Sequence, residues 1–492
     1  VDMHQMLKRL AKMVGGYGAV QWAGPLLSFI FTPIITRILT PSDYGIADYV
    51  MTIGSALGTF GLFAIPQALA AHYNDHPDEQ WHRRLTGSAL TLVWLIGVPV
   101  GLALVLFAPQ VSDQAFGNRD YTLLFQLAGG SVFFGACATL LTAASQAGLH
   151  VRWGMLFSLV TIAGVVFSNV LFIIVLRLGA LGMVLTAITP SVFVSIVALY
   201  TMRRSIARPV WGAMGLLLRS GAILLPTVMA GWALMVVDRL FLVRYITTDA
   251  LGHYAIANKI AGLMHVAMTP LYTSWTALAL SIQHEPDARE RFAVMSRYLM
   301  GAVLIVALGL GLFSTEILIV MTRPAYLPAA PYVGYLAYVH VITAFGTVLY
   351  TSAMAAKQFR AVSWTVALGA GINILLNALL IPTYGIWGAT FATIIGYGVP
   401  QFLLYPILQK RYPVPYPIGR ILVAVVIQAL LLTLGTFLPP MWFPIRIAIK
   451  LVIFGILPIS YILLGMVTRF EVQQVLLFGR NQTRLGWKRL RR

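Results

Sequence analysis

The chain has 492 residues, of which 59% are hydrophobic and only 10% charged, and it carries a formal net charge of +19. Its mean hydropathy is +0.83. Soluble domains carry about 25% charged residues, so a soluble enzyme or binding domain is excluded as the main architecture. The single cysteine, Cys137, excludes an internal disulfide and any multi-cysteine metal site.

Apolar runs near 20 residues recur from end to end, which predicts an all-α polytopic membrane protein. Fourteen spans are expected, at about 15–38, 45–71, 86–108, 122–145, 153–176, 182–200, 220–244, 252–276, 299–321, 331–354, 362–381, 386–408, 420–438 and 446–467. Lys8, Arg9 and Lys12 precede the first run as they would in a signal peptide, but the run is too long, and too many spans follow, for a cleaved leader.

The connections alternate in charge. Lys8, Arg9, Lys12, Arg83, Arg84, Arg152, Arg203, Arg204, Arg208, Arg289, Lys357, Arg360, Lys410, Arg411 and the basic tail from Arg469 onward fall on one side. That side holds most of the 34 Lys and Arg, so the positive-inside rule predicts that both termini are cytoplasmic. The basic excess is expected to face anionic headgroups rather than nucleic acid, with Trp442 and Trp487 as interfacial anchors.

The chain repeats itself. Arg37, Thr40 and Gly45 in TRILTPSDYG are answered by Arg244, Thr247 and Gly252 in RYITTDALG. Gly179 and Gly182 in RLGALG are answered 206 residues later by Gly385 and Gly388 in TYGIWG, and Arg83 by Arg289. Shared offsets at separated places predict a duplicated half. The expected organisation is an N-terminal six-helix lobe over 1–204, a second over 205–411, and two further helices with a basic tail over 412–492. The lobes are expected to be pseudo-symmetric about a central cleft. Gly54 and Gly58 form a GxxxG pair, read as a close helix contact.

Ionisable groups inside spans are costly unless they face a cavity or a partner. The second span carries Asp48, Thr52, Ser55 and Thr59 on one helical face. Its repeat carries Asn258, His265, Thr269 and Tyr272, with Lys259 alongside, so two polar stripes are expected to face each other across the cleft. Asp238, Arg239 and Arg244 lie toward the end of the seventh span. The bland alternatives are structural ion pairing for Asp238 and Arg239, snorkelling for Arg37 and Arg244, and packing for His265. Asn169, Asn373 and Asn377 read as interhelical glue, and Glu316 and His340 as weaker candidates.

The stretch PIITRILTPSDYG, followed by a Gly-rich helix, resembles the start of bacterial polysaccharide transporters. These are the O-antigen-type lipid-linked oligosaccharide flippases of the multidrug/oligosaccharidyl-lipid/polysaccharide (MOP) superfamily. The resemblance is recognisable over roughly residues 15–75. It implies a bacterial inner-membrane flippase for a polyprenyl-pyrophosphate-linked oligosaccharide in surface-polysaccharide (O-antigen, lipopolysaccharide) synthesis, with a polymerase and chain-length machinery as partners. Guanidinium and ammonium groups suit a phosphate, which makes Arg37, Arg239, Arg244, Lys259, His265 and Asn258 the substrate-binding candidates. Asp48 and Asp238 are the ion-coupling candidates, for a proton or sodium. No cofactor is expected.

Three alternatives stand beside this reading. A lipid II-type flippase shares the architecture; a multidrug antiporter of the same superfamily should favour an acidic, aromatic cavity. A polysaccharide polymerase or membrane glycosyltransferase should have a large outer loop, and the longest expected here runs from Ala108 to Tyr121. No Walker motif points to an ATP-driven pump.

Overall fold

Each repeat begins with the same local device. A computed structural model describes residues 27–466, apart from Ser28, Leu149 and Pro440; the N-terminal basic cluster, the start of the first span and the basic tail lie outside the described residues. After the short helix α1 (Phe29–Ile38), Thr40 caps α2 (Pro41–Leu62). Its hydroxyl accepts from the Asp43 amide at 3.0 Å, while the Asp43 carboxylate accepts from the Thr40 amide at 3.1 Å. This reciprocal box satisfies two helix-start donors. Thr247 caps α9 (Thr248–Ile282) through its hydroxyl, which accepts from the Ala250 amide at 3.2 Å. The glycine echo is also structural. Gly179 and Gly385 both take left-handed φ, +60° and +53°, where a side chain would be strained.

Between these points lie α3 (Ile65–His72), α4 (Glu79–Phe116), α5 (Thr122–Ala147), α6 (Val151–Ser168, continued as a π-helix to Val175), α7 (Gly179–Met202) and α8 (Trp211–Tyr245). After α9 come α10 (Ala288–Leu312), α11 (Ser314–Met321), α12 (Ala330–Ala355), α13 (Phe359–Tyr384), α14 (Ile386–Arg411), α15 (Ile418–Thr436) and α16 (Phe443–Leu463).

Every regular element among the described residues is helical. Eleven of these helices are long and apolar enough to cross a membrane, and the bent pair α2–α3 makes twelve. The expected count of fourteen is not reached on this measure: only eleven residues of the first span are described as helix, and the polar side chains of α9 lower its hydropathy. Several boundaries move. The second span breaks at Phe63 and Ala64, both at positive φ, with a 42° bend. The expected 299–321 span is two helices meeting at Phe313. The expected outer loop from Ala108 is mostly helix, because α4 continues through Pro109 to Phe116 and stops at Gly117, φ +73°. The GxxxG expectation holds for one glycine only: Gly54 packs on Ala128, while Gly58 faces open space.

The two repeats meet along α2 and α9. Rather than facing each other across a cleft, these helices touch where they begin, with Ser42 Oγ 2.8 Å from Thr248 Oγ1. Around them α1, α2, α9 and α11 share one apolar core that includes Leu39, Tyr44, Val50, Leu251, Ile256 and Leu318. At the opposite end the first half has a separate core, built from Leu69, Leu85, Leu140 and Phe157, into which Leu217 of α8 packs. The halves are therefore joined at the Thr40/Thr247 end by α2 and α9, and at the other end through α8. Helix α8 serves both. It begins against the first half, where His72 Nε2 lies 2.9 Å from Ser220 Oγ, and ends against α13 around Ala233, Val237 and Ala370. Helices α15 and α16 pack on α10 and belong with the second half.

Candidate functional site

Below the joined end, four groups from three helices form a buried polar cluster. Asp48 comes from α2, one turn in from the tight Gly45 contact. Asp238 and Arg239 come from the last third of α8, and Tyr254 from the second turn of α9. Arg239 Nε donates to Asp48 Oδ2 at 2.7 Å, and Nη1 donates to Asp238 Oδ1 at 3.1 Å and to the Met235 carbonyl at 3.2 Å. The Tyr254 hydroxyl donates to the other Asp238 oxygen. Asp238 and Arg239 are 2% and 7% exposed, so a lone charge here would be severely desolvated; the pairing is what makes either tolerable. The structure thus joins Asp48, Asp238 and Arg239 into one network linking the two halves, and commits the Arg239 fork to carboxylates.

Lys259 stands differently. It lies one turn beyond Tyr254 on α9, with Nζ 5.7 Å from the centre of the Tyr44 ring. Among the described residues it has no carboxylate within ion-pair distance. It lines a cavity of about 240 Å³ between α1, α9 and α11, with Phe29, Thr32, Gly262, Leu263 and Met321. Gly262 keeps this space open, since a Cβ there would meet nothing within 4 Å.

The remaining expected residues are spread out. Arg37 is exposed at the joined end, where Nη2 donates to the Val320 carbonyl at 3.2 Å. Arg244 is exposed at the last turn of α8. His265 is exposed two turns beyond Lys259, with its ring 6.0 Å from that of His340. Asn258 is half-buried and its side chain makes no hydrogen bond among the described residues. Of the polar stripe on α2, Thr52 and Thr59 donate back to carbonyls of their own helix, and Ser55 also accepts from Trp232 on α8 at 3.3 Å. Asn377 donates to Asn373 at 3.1 Å within α13, where Asn373 packs against Gly396 of α14.

Sequence reasoning missed Tyr254, whose hydroxyl completes the Asp238 shell, and the partners of Glu316, which it had named only as a weaker candidate. Lys450 Nζ donates to both Glu316 oxygens at 2.9 and 2.8 Å, and Arg446 lies 3.3 Å away, tying α16 to α11. The i, i+4 spacing of Arg446 and Lys450 was the available signal. No group of three or more His, Cys, Asp and Glu able to hold a metal occurs among the described residues.

Two like halves, joined at one end by a network of buried charge, make up a polytopic helical membrane protein. The chain belongs to the polysaccharide biosynthesis protein family, whose sequence model matches residues 10–276. An uncharacterized membrane protein of Methanocaldococcus jannaschii is 24% identical over 166 residues, 31% of this chain and 33% of that protein, so the chain matches about a third of that relative's length. Among solved structures, the lipid II flippase MurJ in an inward closed conformation aligns with a TM-score of 0.67 at 16% identity, over 90% of this chain and 98% of that one. An inward-facing multidrug resistance MATE transporter of the MOP superfamily gives 0.62 at 13%, over 80% and 98%. A MOP transporter from Pyrococcus furiosus, described as having reversed polarity in its binding pocket, gives 0.56 at 13%, over 82% and 96%. The fold is that of the MOP superfamily.

Proposed function

We propose that the protein is a flippase that moves a polyprenyl-pyrophosphate-linked oligosaccharide, the repeat unit of a surface polysaccharide such as O-antigen, from the cytoplasmic to the outer leaflet of a bacterial inner membrane. The observation that carries this is Lys259: a cation on the helix that joins the halves, lining a cavity and lacking a carboxylate partner among the described residues. A phosphate is the group such a site attracts. Family membership supports a role in polysaccharide synthesis. The positive-inside pattern, taken with halves joined at the Thr40/Thr247 end, supports a state open to the cytoplasm.

In this reading the lobes 1–204 and 205–411 rock against each other, parting at the α2–α9 contact to open outward, while the 412–492 segment rides with the second. Lys259 receives the phosphate, with Asn258 and His265 beside it; Arg37 and Arg244 meet it at the outer rim. Arg239 enters the binding surface only when a coupling proton or sodium ion neutralises Asp48 or Asp238 and frees its fork. No cofactor is required, and the product passes to a polymerase and its chain-length machinery.

The test is flipping in proteoliposomes, with fluorescent polyprenyl-pyrophosphate oligosaccharide and lipid II as separate cargoes. Lys259→Ala should slow the first at least about tenfold, while Lys259→Arg keeps most of the rate, because attraction depends mainly on charge. Full activity in Lys259→Ala sinks the proposal. Transport of lipid II alone replaces the cargo.

A further inference from the structure

The first half contains a second cavity that the charged site does not use. It measures about 530 Å³ and opens between α3, α5, α6 and α7, in the part of the bundle away from the Thr40/Thr247 end. That is the size range of small-molecule sites. Its polar lining is Gln67, Thr139, Thr142, Gln146, Thr161 and Ser191, and no charged side chain lines it.

Hydroxyls in membrane helices usually hide by donating to a carbonyl one turn back. Thr139 and Thr161 do this, at 2.8 Å each to Gly135 and Phe157. The glutamines do not. The Gln67 and Gln146 side chains are both exposed to the recess and make no hydrogen bond among the described residues, nor do the Thr142 and Ser191 hydroxyls. Four unpaired polar side chains on three helices, converging on one space inside an apolar bundle, are costly unless water or a ligand fills it. Duplication accounts for part of this polarity. The positions 206 residues further on from Gln67 and Gln146 are Thr273 and Ser352, while those matching Thr142 and Ser191 are Val348 and Tyr397, so the two carboxamides belong to the first half alone.

We infer that this recess binds the neutral sugar residues of the cargo while Lys259 holds its phosphate, an assignment that rests on the flippase reading above. A carboxamide presents a donor and an acceptor side by side, the pair that adjacent sugar hydroxyls satisfy, and the threonine and serine oxygens add acceptors. A phosphate is excluded by the lack of any cation in the lining. Tyr44, beside Lys259, and Gln67, in the recess, lie roughly 30 Å apart along α2–α3 at about 1.5 Å per residue, allowing for the bend. The recess therefore receives a sugar removed from the phosphate by several units.

Two binding arms, on the full chain in lipid nanodiscs, separate the claims. The first uses an array of free neutral oligosaccharides; the second uses sugar-free polyprenyl pyrophosphate. The Gln67→Ala/Gln146→Ala variant should lose about tenfold or more in the first arm, as expected for several hydrogen bonds, and change less than about twofold in the second. Lys259→Ala should do the reverse. Both glutamines are exposed, so thermal stability should be unchanged in the double variant. No saccharide binding, or equal binding in the double variant, overturns the recess assignment and leaves the phosphate arm standing. Failure of the phosphate arm alone sinks the Lys259 reading and leaves the recess as a saccharide site.

Discussion

Gly45 and Gly252, equivalent positions of the two repeats, lie against each other where α2 and α9 begin. A Cβ added to Gly45 would sit 2.5 Å from the Gly252 nitrogen, and one added to Gly252 would sit 1.8 Å from the Pro41 carbonyl oxygen. Equivalent residues touch only where a two-fold relation passes between them. The contact marks the pseudo-symmetry axis and closes this end of the molecule.

Gly252→Ala should therefore weaken this closed end more than Gly45→Ala. The intruded atom is backbone on both sides and cannot swing aside, so the expected cost is about 1–3 kcal/mol. Thermal unfolding in detergent checks it, alongside the accessibility of a cysteine placed at Ser42. An alanine variant with unchanged stability and unchanged accessibility would show that the two helices do not meet as described.

The Ser42 and Thr248 oxygens are 2.8 Å apart. In a Cys137→Ser background, Ser42→Cys with Thr248→Cys should form a disulfide under mild oxidation, since the atoms the sulfurs would replace are only 2.8 Å apart. If the halves separate here during transport, the crosslink should stop flipping and a reductant should restore it. Crosslinked protein that transports at the normal rate would show that this end never opens.

Arg239→Ala leaves two carboxylates without their cation. Removing one partner of a buried pair is worth roughly 3–5 kcal/mol, so this variant should be the least stable of the cluster. Arg239→Lys keeps charge but loses the fork that reaches both Asp48 and Asp238, and an intermediate loss is expected. Asp48→Asn should cost less, because its side chain is 26% exposed. Melting temperatures in one detergent would rank the three.

Glu316→Gln leaves Lys450, only 4% exposed, without its carboxylate. Stability should fall, and α16 should become more accessible to protease, while Glu316→Asp recovers part of the loss. Replacing Glu316 and Lys450 together by Met should be milder than Glu316→Gln, since the charge then left without a carboxylate is the more exposed Arg446.

Orientation is tested at Ser205, in the connection before α8. With Cys137→Ser, a cysteine at 205 should react with an impermeant reagent only after permeabilisation. Labelling in intact cells reverses the topology.

Much about the chain was written locally. Hydropathy over 20-residue windows marks a helical membrane protein because the bilayer core requires every backbone group to be satisfied within its own segment. The echo at offsets of 206 and 207 residues marked the duplicated half, and the structure bears it out in the Thr40 and Thr247 caps, the positive-φ Gly179 and Gly385, and the touching Gly45 and Gly252. What sequence could not supply was partnership. Asp48, Asp238, Arg239 and Lys259 each stood out as a charge in an apolar run, yet which were paired depends on side chains brought together from about 190 positions apart. Only the packing of α2 against α8 and α9 shows that Arg239 is held by two acids while Lys259 is not. The uncharged recess was less visible still. Isolated Thr, Ser and Gln residues in membrane helices read as hydroxyls and amides bonded within their own bundle, and only the convergence of four helices shows that some of them have no such partner.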